Sequence, residues 1–457
     1  MVNILKRMGL NLSQSAPFVL SNTIILVPYL LFISLSDGQS WLNILPFVFF
    51  YTFRMTGIFL FRGLSLGADS YKLLVTSLIF GGAGSFFGAL GSVYFPLYIL
   101  SGILLGLSAA WLQPANLTVN FHEKQQGFVP MTLANYLAGV VLLSFLFGSM
   151  IFLKEVQMTL VFTLYVFFYA MAFIAVKGYP NYQLKKDDQS LVSRKELIVF
   201  VVFFVLLLLL RGGRLLFRVN DLAIAIVVFS FIFILSILSL NKMSKKWHLP
   251  VWLNLLTFLT GMVGNFLILF GSLYVGVLAG FDQVTTHLYL PYVCGVVIAM
   301  FGIKWILRLF SKWPPLLVLI GGLAGSLLLV LIPNLPMVPW FMISFFRSGL
   351  GSWLNTYYYE TEGIPIDQRL LVKFTTQNKG SLTHQFLLMT MIWVLAKLKG
   401  QPGKLLLELT GKKMISPVEV AILDVTKWLS IGGLLIGMGI CLYLWKNPDG
   451  KVAKRSN

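Results

Sequence analysis

Long apolar runs, separated by short polar or basic segments, set the pattern of this chain. They fall at about 17–36, 41–61, 73–92, 96–114, 132–153 and 157–176. Two more follow at 197–217 and 221–240, then six at 251–278, 288–308, 315–333, 338–357, 382–398 and 427–446. A helix needs about 20 mostly apolar residues to cross the hydrocarbon core. Only a structure that pairs its own backbone groups survives there. The pattern therefore predicts an all-α integral membrane protein with about 14 transmembrane helices in the order six, two, six. The charged stretch Lys177–Glu196 and the basic linker Asn241–His248 mark the divisions. They delimit an N-terminal six-helix repeat over residues 1–180, linkers and an inserted transmembrane hairpin over 181–249, and a C-terminal six-helix repeat over 250–457.

The outer blocks share short segments in the same order. Phe80-Gly81-Gly82-Ala83-Gly84-Ser85 returns as Ile320-Gly321-Gly322-Leu323-Ala324-Gly325-Ser326. Gly106-Leu107-Ser108-Ala109-Ala110-Trp111-Leu112-Gln113 returns as Gly349-Leu350-Gly351-Ser352-Trp353-Leu354-Asn355, and Val19-Leu20-Ser21-Asn22 as Met262-Val263-Gly264-Asn265. Each offset is about 240 residues, which points to an internal duplication. An even number of spans per copy makes the repeats parallel. The glycines of the third span in each copy are expected to let helix backbones approach closely.

Composition agrees with a membrane setting. Charged residues make up 11% of the 457 and hydrophobic ones 58%, against about 25% charged in soluble domains. The formal net charge is +19, but the basic residues lie mostly between apolar runs, as membrane topology leaves them, and not on a soluble face that could grip nucleic acid. Their distribution places both termini in the cytoplasm and the chain in the cell membrane, plasma or inner, as a multi-pass protein. The first run has no cleavage site behind it and is read as a retained span. Cys294 and Cys441 sit in apolar runs without a metal or redox spacing and are expected to be small core residues. The scattered His122, His248, His287 and His384 offer no catalytic constellation, so no enzyme activity, catalytic residue, cofactor or metal is expected.

With its duplicated six-span blocks, the chain resembles the major facilitator superfamily in its fourteen-span form. The segment Gly106 to Gly139, with Pro114, Glu123, Lys124 and Gly127, is similar to the family's connection after the fourth span. Arg62-Gly63-Leu64-Ser65-Leu66-Gly67-Ala68-Asp69-Ser70-Tyr71-Lys72 resembles a degraded form of its loop after the second span, with the Asp displaced and the Gly-Arg pair missing. The Gly-Pro motif of drug–proton antiporters and the Glu-Glu-Arg pattern of peptide carriers are absent. The resemblance implies a secondary transporter, a permease moving a small organic solute, anionic or amphipathic, by alternating access. A flippase for an anionic lipid or lipid-linked glycan on the same fold is the alternative. A small-molecule or lipid substrate, membrane lipids and no nucleic acid are the expected partners of a monomer.

Polar groups inside spans are costly and default to functional candidates. Asn22 and Asn265 hold matching places in the first spans of the two copies, which in the family line the central cavity; side-chain amides there also serve as interhelical glue. Arg347 lies mid-span, cannot lose its charge, and has no mid-span carboxylate to meet. An anionic substrate would satisfy it, as would carbonyls or Glu360 or Glu362. Arg54 is a second candidate, closer to the cytoplasm, where snorkelling competes. Substrate binding is thus expected at Asn22, Asn265, Arg347 and Arg54, and gating at Gln113, Asn355, Gly63, Asp69 and Lys72. Tyr357-Tyr358-Tyr359 reads as an interfacial aromatic belt. Arg211, Arg214 and Arg218, with Lys397, Lys399, Lys404, Lys412 and Lys413, form an outer basic cluster able to draw anions. No buried titratable carrier of protons is evident, His384 being placed near a span end.

Overall fold

A computed structural model of the chain describes residues 2–35, 41–63, 69–152, 157–181, 194–216, 228, 231, 249–280, 283–333, 335, 337–362, 364–401 and 416–447. Among these residues the regular structure is helical throughout. Among the described residues, eight helices are long and apolar enough to cross a membrane, or nine if one bent pair is a single span. Phe86, Phe167, Ile174, Trp305, Ile436 and Tyr443 are exposed on these helices, an outward apolar surface that only lipid would solvate favourably. The protein is a multi-pass, all-α membrane protein. Apart from residues 228 and 231, the expected span at 221–240 lies outside the described residues, as do the tip of the inserted hairpin and the loop lysines Lys404, Lys412 and Lys413.

The helices group into two compact units. The first comprises Met1–Leu216 with Pro365–Leu371, and the second Phe217–Ile364 with Val372–Asn457. In the first unit α1 (Val2–Thr23) and α2 (Leu26–Leu35) bend by 56° at their junction. Pro28 explains the bend, because it has no N–H to close a helical bond to Ile24. They are followed by α3 (Trp41–Gly63), α4 (Ser70–Leu90), α5 (Pro96–Gln125), α6 (Leu133–Phe152), α7 (Gln157–Lys177) and α8 (Arg194–Leu216). Helix α5 packs on α3 and α4, α7 on α1 and α4, and α8 on α3, where Phe53 meets Phe204 and Phe59 meets Phe203.

The second unit starts with α9 (Val251–Asn265), a π-helical turn at Phe266–Phe270 and α10 (Gly271–Ala279), together one long span. A second π turn, Thr285–Tyr289, opens α11 (Leu290–Leu309), followed by α12 (Pro315–Leu329), α13 (Val338–Glu360), α14 (Ile366–Leu398) and α15 (Pro417–Lys446). Here α13 packs on α11 and α12, and α15 on α9 and α12. This is the packing order of the first unit repeated.

Two helices depart from the apolar runs. The run at 382–398 is only the second half of α14, which begins at Ile366, and the run at 427–446 is the end of α15, which begins at Pro417. Ser416 and Glu419 form a capping box at the start of α15, with Pro417 in the first turn, so three local signals fix that start although Glu419, Asp424 and Lys427 interrupt its apolar residues.

The glycines serve unequally. A Cβ on Gly81 would strike the Tyr169 ring, and one on Gly322 the Phe346 ring. Gly321 and Gly325 face open space, so close approach in the second third-span rests on Gly322 alone among those three. The tightest crossing is elsewhere. A Cβ on Gly261 of α9 would collide with the Gln377 carbonyl of α14, and one on Gly380 with the Phe258 carbonyl of α9. Backbone meets backbone there, and neither side can yield. Gly261→Leu and Gly380→Leu are each expected to destabilise the protein by about 3 kcal/mol or more, seen as a large drop in thermal midpoint in detergent. Gly321→Leu should leave the midpoint unchanged.

Two other expectations are corrected. Tyr358 and Tyr359 are buried, with the Tyr358 hydroxyl 3.1 Å from Thr257 Oγ1, so these tyrosines pack the interior and do not form a belt. Cys441 is a core residue whose Sγ faces the Trp252 carbonyl at 3.4 Å, whereas Cys294 is exposed.

Candidate functional site

Helix α14 is 33 residues long, about 50 Å at 1.5 Å per residue, and its first half is markedly polar. Lys373, Gln377, Gly380 and His384 recur at i, i+4, i+7 and i+11, which is one helical face. Lys373 is 2% exposed and His384 2%. This face is turned into the second unit, against α9 across the Gly261–Gly380 crossing and toward α13.

The Lys373 ammonium donates to Asn355 Oδ1 and, at 3.4 Å, to the Gly351 carbonyl, both on α13. It also stands over the Phe374 ring. Arg347, two turns earlier on α13, is half-buried and lies close enough to Lys373 for the two charges to repel. Its Nε–H donates to the Thr260 carbonyl at 3.3 Å, and its guanidinium lies flat on Gly264, where a Cβ would displace it. Among the described residues neither cation has a carboxylate in ion-pair range. One buried and one half-buried positive charge therefore rest on neutral acceptors, an arrangement that costs several kcal/mol for a fully buried unpaired ion.

A further turn along, Asn265 is 5% exposed and its Oδ1 accepts from His384 Nδ1–H at 3.0 Å. His384 Nε2 is buried without a partner among the described residues, and Phe266 packs edge-on to the ring. His384 thus lies in the middle of a helix and not near a span end. Asn265 also marks the last α-helical residue before the π turn at Phe266–Phe270, a local widening often found at functional sites.

The other candidates belong to the first unit. Asn22 is exposed, with its Nδ2 bonded to Phe18 O in its own helix at 2.8 Å. The buried polar tie of that region is instead Ser21, which accepts from Asn116 at 3.0 Å. Arg54 is half-buried with its guanidinium 6.0 Å from the Tyr51 ring centre. Gln113 is half-buried on α5. Gly63 ends α3, and Asp69 caps α4 by accepting from the Lys72 N–H at 2.7 Å. Beside that cap the Ser70 N–H donates to the Asp367 carboxylate at 3.2 Å.

No family model matches the chain, and no curated protein matches it. Solved structures do. A Major Facilitator Superfamily transporter, FucP, in its outward conformation, aligns with a TM-score of 0.50 at 12% identity, covering 95% of this chain and 98% of that one. A structure of the E. coli fucose:proton symporter FucP aligns with a TM-score of 0.48 at 13% identity, over 95% and 98%. The fold is that of the major facilitator superfamily. Within this facilitator fold, the Arg347–Lys373 and Asn265–His384 cluster lies wholly in the second unit, on α9, α13 and α14. Sequence reading found Arg347 and Asn265 but missed Lys373 and His384. The signal that could have found them is the polar stripe at helical spacing running through residues 373–384.

Proposed function

We propose that this protein is a secondary transporter of the major facilitator type that moves a small organic anion by alternating access. The observation that supports this reading is the pair of cations, buried Lys373 and half-buried Arg347, near each other with only neutral acceptors around them among the described residues. An anion placed between them would replace mutual repulsion with two charge-assisted hydrogen bonds, each roughly twice as strong as a neutral one. Arg347 would fork onto the anion. Lys373 would approach as a point charge held in position by Asn355, and Asn265 would contribute a polar wall. Arg54 and Asn22 are proposed as substrate contacts of the first unit. Gln113, Asn355, Gly63, Asp69 and Lys72 are proposed as gating positions, Asn355 through its grip on Lys373. The protein is proposed to work in the cell membrane with both termini cytoplasmic.

The test uses the purified full-length protein in liposomes. Saturable uptake of small carboxylates or phosphate esters, with no uptake of an uncharged sugar, is the expected result. Exposure of a labelled lipid headgroup without solute uptake would replace this reading with that of a flippase. Uptake of the sugar alone would end the anion assignment.

A further inference from the structure

A second polar group lies in the other half of the second unit and is not used by the proposed transport path. Lys427 of α15 donates from Nζ to the Tyr274 hydroxyl at 2.7 Å and to Asp424 Oδ1 at 2.9 Å, and the Tyr274 hydroxyl donates to the same Oδ1 at 3.1 Å. These three residues line a cavity of about 580 Å³ with Leu278, Val330 and Trp340 among its apolar walls. That volume falls in the range of small-molecule sites, which are mostly apolar with a few placed polar groups. Trp340 is seven residues, or two turns, from Arg347 along α13, about 10 Å. Phe266, Phe270 and Tyr274 stack in a column that starts beside His384 and ends at the cavity.

The charges here differ in kind from those of the Arg347–Lys373 cluster. Lys427 is neutralised by Asp424, so the cavity offers no net attraction to an anion. It still has unused capacity of both kinds. The Asp424 side chain is 43% exposed; its Oδ1 carries both bonds, and among the described residues Oδ2 is open as an acceptor. Lys427 Nζ has three hydrogens and uses two. The open acceptor and the open donor thus belong to one ion pair, joined through Oδ1 at 2.9 Å, at one end of a mostly apolar cavity. The ligand that matches them carries an ammonium and a carboxylate on one carbon and a hydrocarbon body.

We propose that this cavity is a binding site for a small zwitterion of the α-amino-acid type with an apolar side chain. The ammonium meets Asp424 Oδ2, the carboxylate meets Lys427 Nζ, and the side chain lies against Leu278, Val330 and Trp340. A hydroxyl-rich neutral molecule could satisfy the polar pair but would waste the apolar walls. An anion would leave Asp424 repelled.

The experiment measures binding of radiolabelled leucine to the purified full-length protein in detergent. Saturable binding is expected, at least about tenfold weaker for leucinamide and for 4-methylpentanoate, which each lack one charge. Asp424→Asn should weaken leucine binding by at least about tenfold. Leu278→Trp, at a half-exposed wall position that tolerates a larger side chain, should abolish it while the thermal midpoint stays unchanged. Arg347→Gln should leave it intact, which separates this site from the anion cluster. The proposal is overturned if leucine does not saturate, if either singly charged analogue binds as well, if a hexose alone binds, or if Leu278→Trp binds leucine normally. Loss of leucine binding in Arg347→Gln would likewise overturn it, since the two sites would then be one.

Discussion

Replacing Lys373 by methionine is expected to make the ligand-free protein more stable and to remove its response to anions. The ammonium is buried beside a guanidinium, so its removal relieves both a desolvation cost and a repulsion. Methionine keeps the packing volume of the aliphatic stem. The Asn355 side-chain oxygen loses a donor, a loss of about 1–3 kcal/mol if it stays buried. The relief of the charge outweighs it, and a net gain of about 1–4 kcal/mol is expected by analogy with buried charges replaced by apolar groups. A bound anion stabilises the native protein by mass action, about 2.7 kcal/mol at a hundredfold excess over Kd. Thermal melts with and without a transported anion would therefore show a raised midpoint in Lys373→Met and no further rise on adding anion. A lowered midpoint, with the anion response retained, would assign the lysine a purely structural role.

Arg347→Gln should have the largest effect on transport. The guanidinium lies on bare backbone at Gly264 and bonds to protein through Nε alone among the described residues, so its remaining N–H groups are free to fork onto a carboxylate or phosphate. Truncating one partner of a desolvated charge pair costs about 2–5 kcal/mol, or on the order of 30-fold and upward in affinity. Glutamine keeps a donor for the Thr260 carbonyl, so the fold should survive. Liposome uptake in Arg347→Gln that equals the parent protein would remove the guanidinium from the substrate path. Arg347→Lys separates charge from shape: if the planar fork matters, lysine restores only part of the loss.

The class of fold could be read from sequence because lipid imposes a simple rule. An apolar run that crosses lipid has to become a helix, and the runs in α3, α6, α7 and α13 did so within a few residues. The rule failed where a helix is polar by purpose. Lys373, Gln377 and Lys379 depress the hydropathy of the first half of α14, so a search for apolar stretches begins the helix sixteen residues late. The burial of Lys373 is possible because α13 supplies acceptors at Asn355 and Gly351, and tertiary contacts of that kind leave no mark in a hydropathy window. The site was legible to the same degree. Arg347 and Asn265 stood out as polar groups in apolar surroundings, whereas Lys373 and His384 were hidden by polar neighbours. The symmetric pairing of Asn22 with Asn265 illustrates the opposite risk, since a matched letter in two repeats carries no information on which way each side chain turns. Asn22 bonds within its own helix and Asn265 reaches across to His384.

The Gly261–Gly380 crossing has a mechanical consequence. Two helices that touch carbonyl to Cα, in both directions, are keyed: sliding or rolling either would drive a side chain into the other's backbone. Whatever rearrangement accompanies a working cycle, α9 and α14 must travel as a single strut, carrying Asn265, Lys373 and His384 with unchanged spacing. Spectroscopic labels placed one on each of these helices should report a constant separation in every state of the cycle, a fixed ruler against which movement elsewhere can be measured.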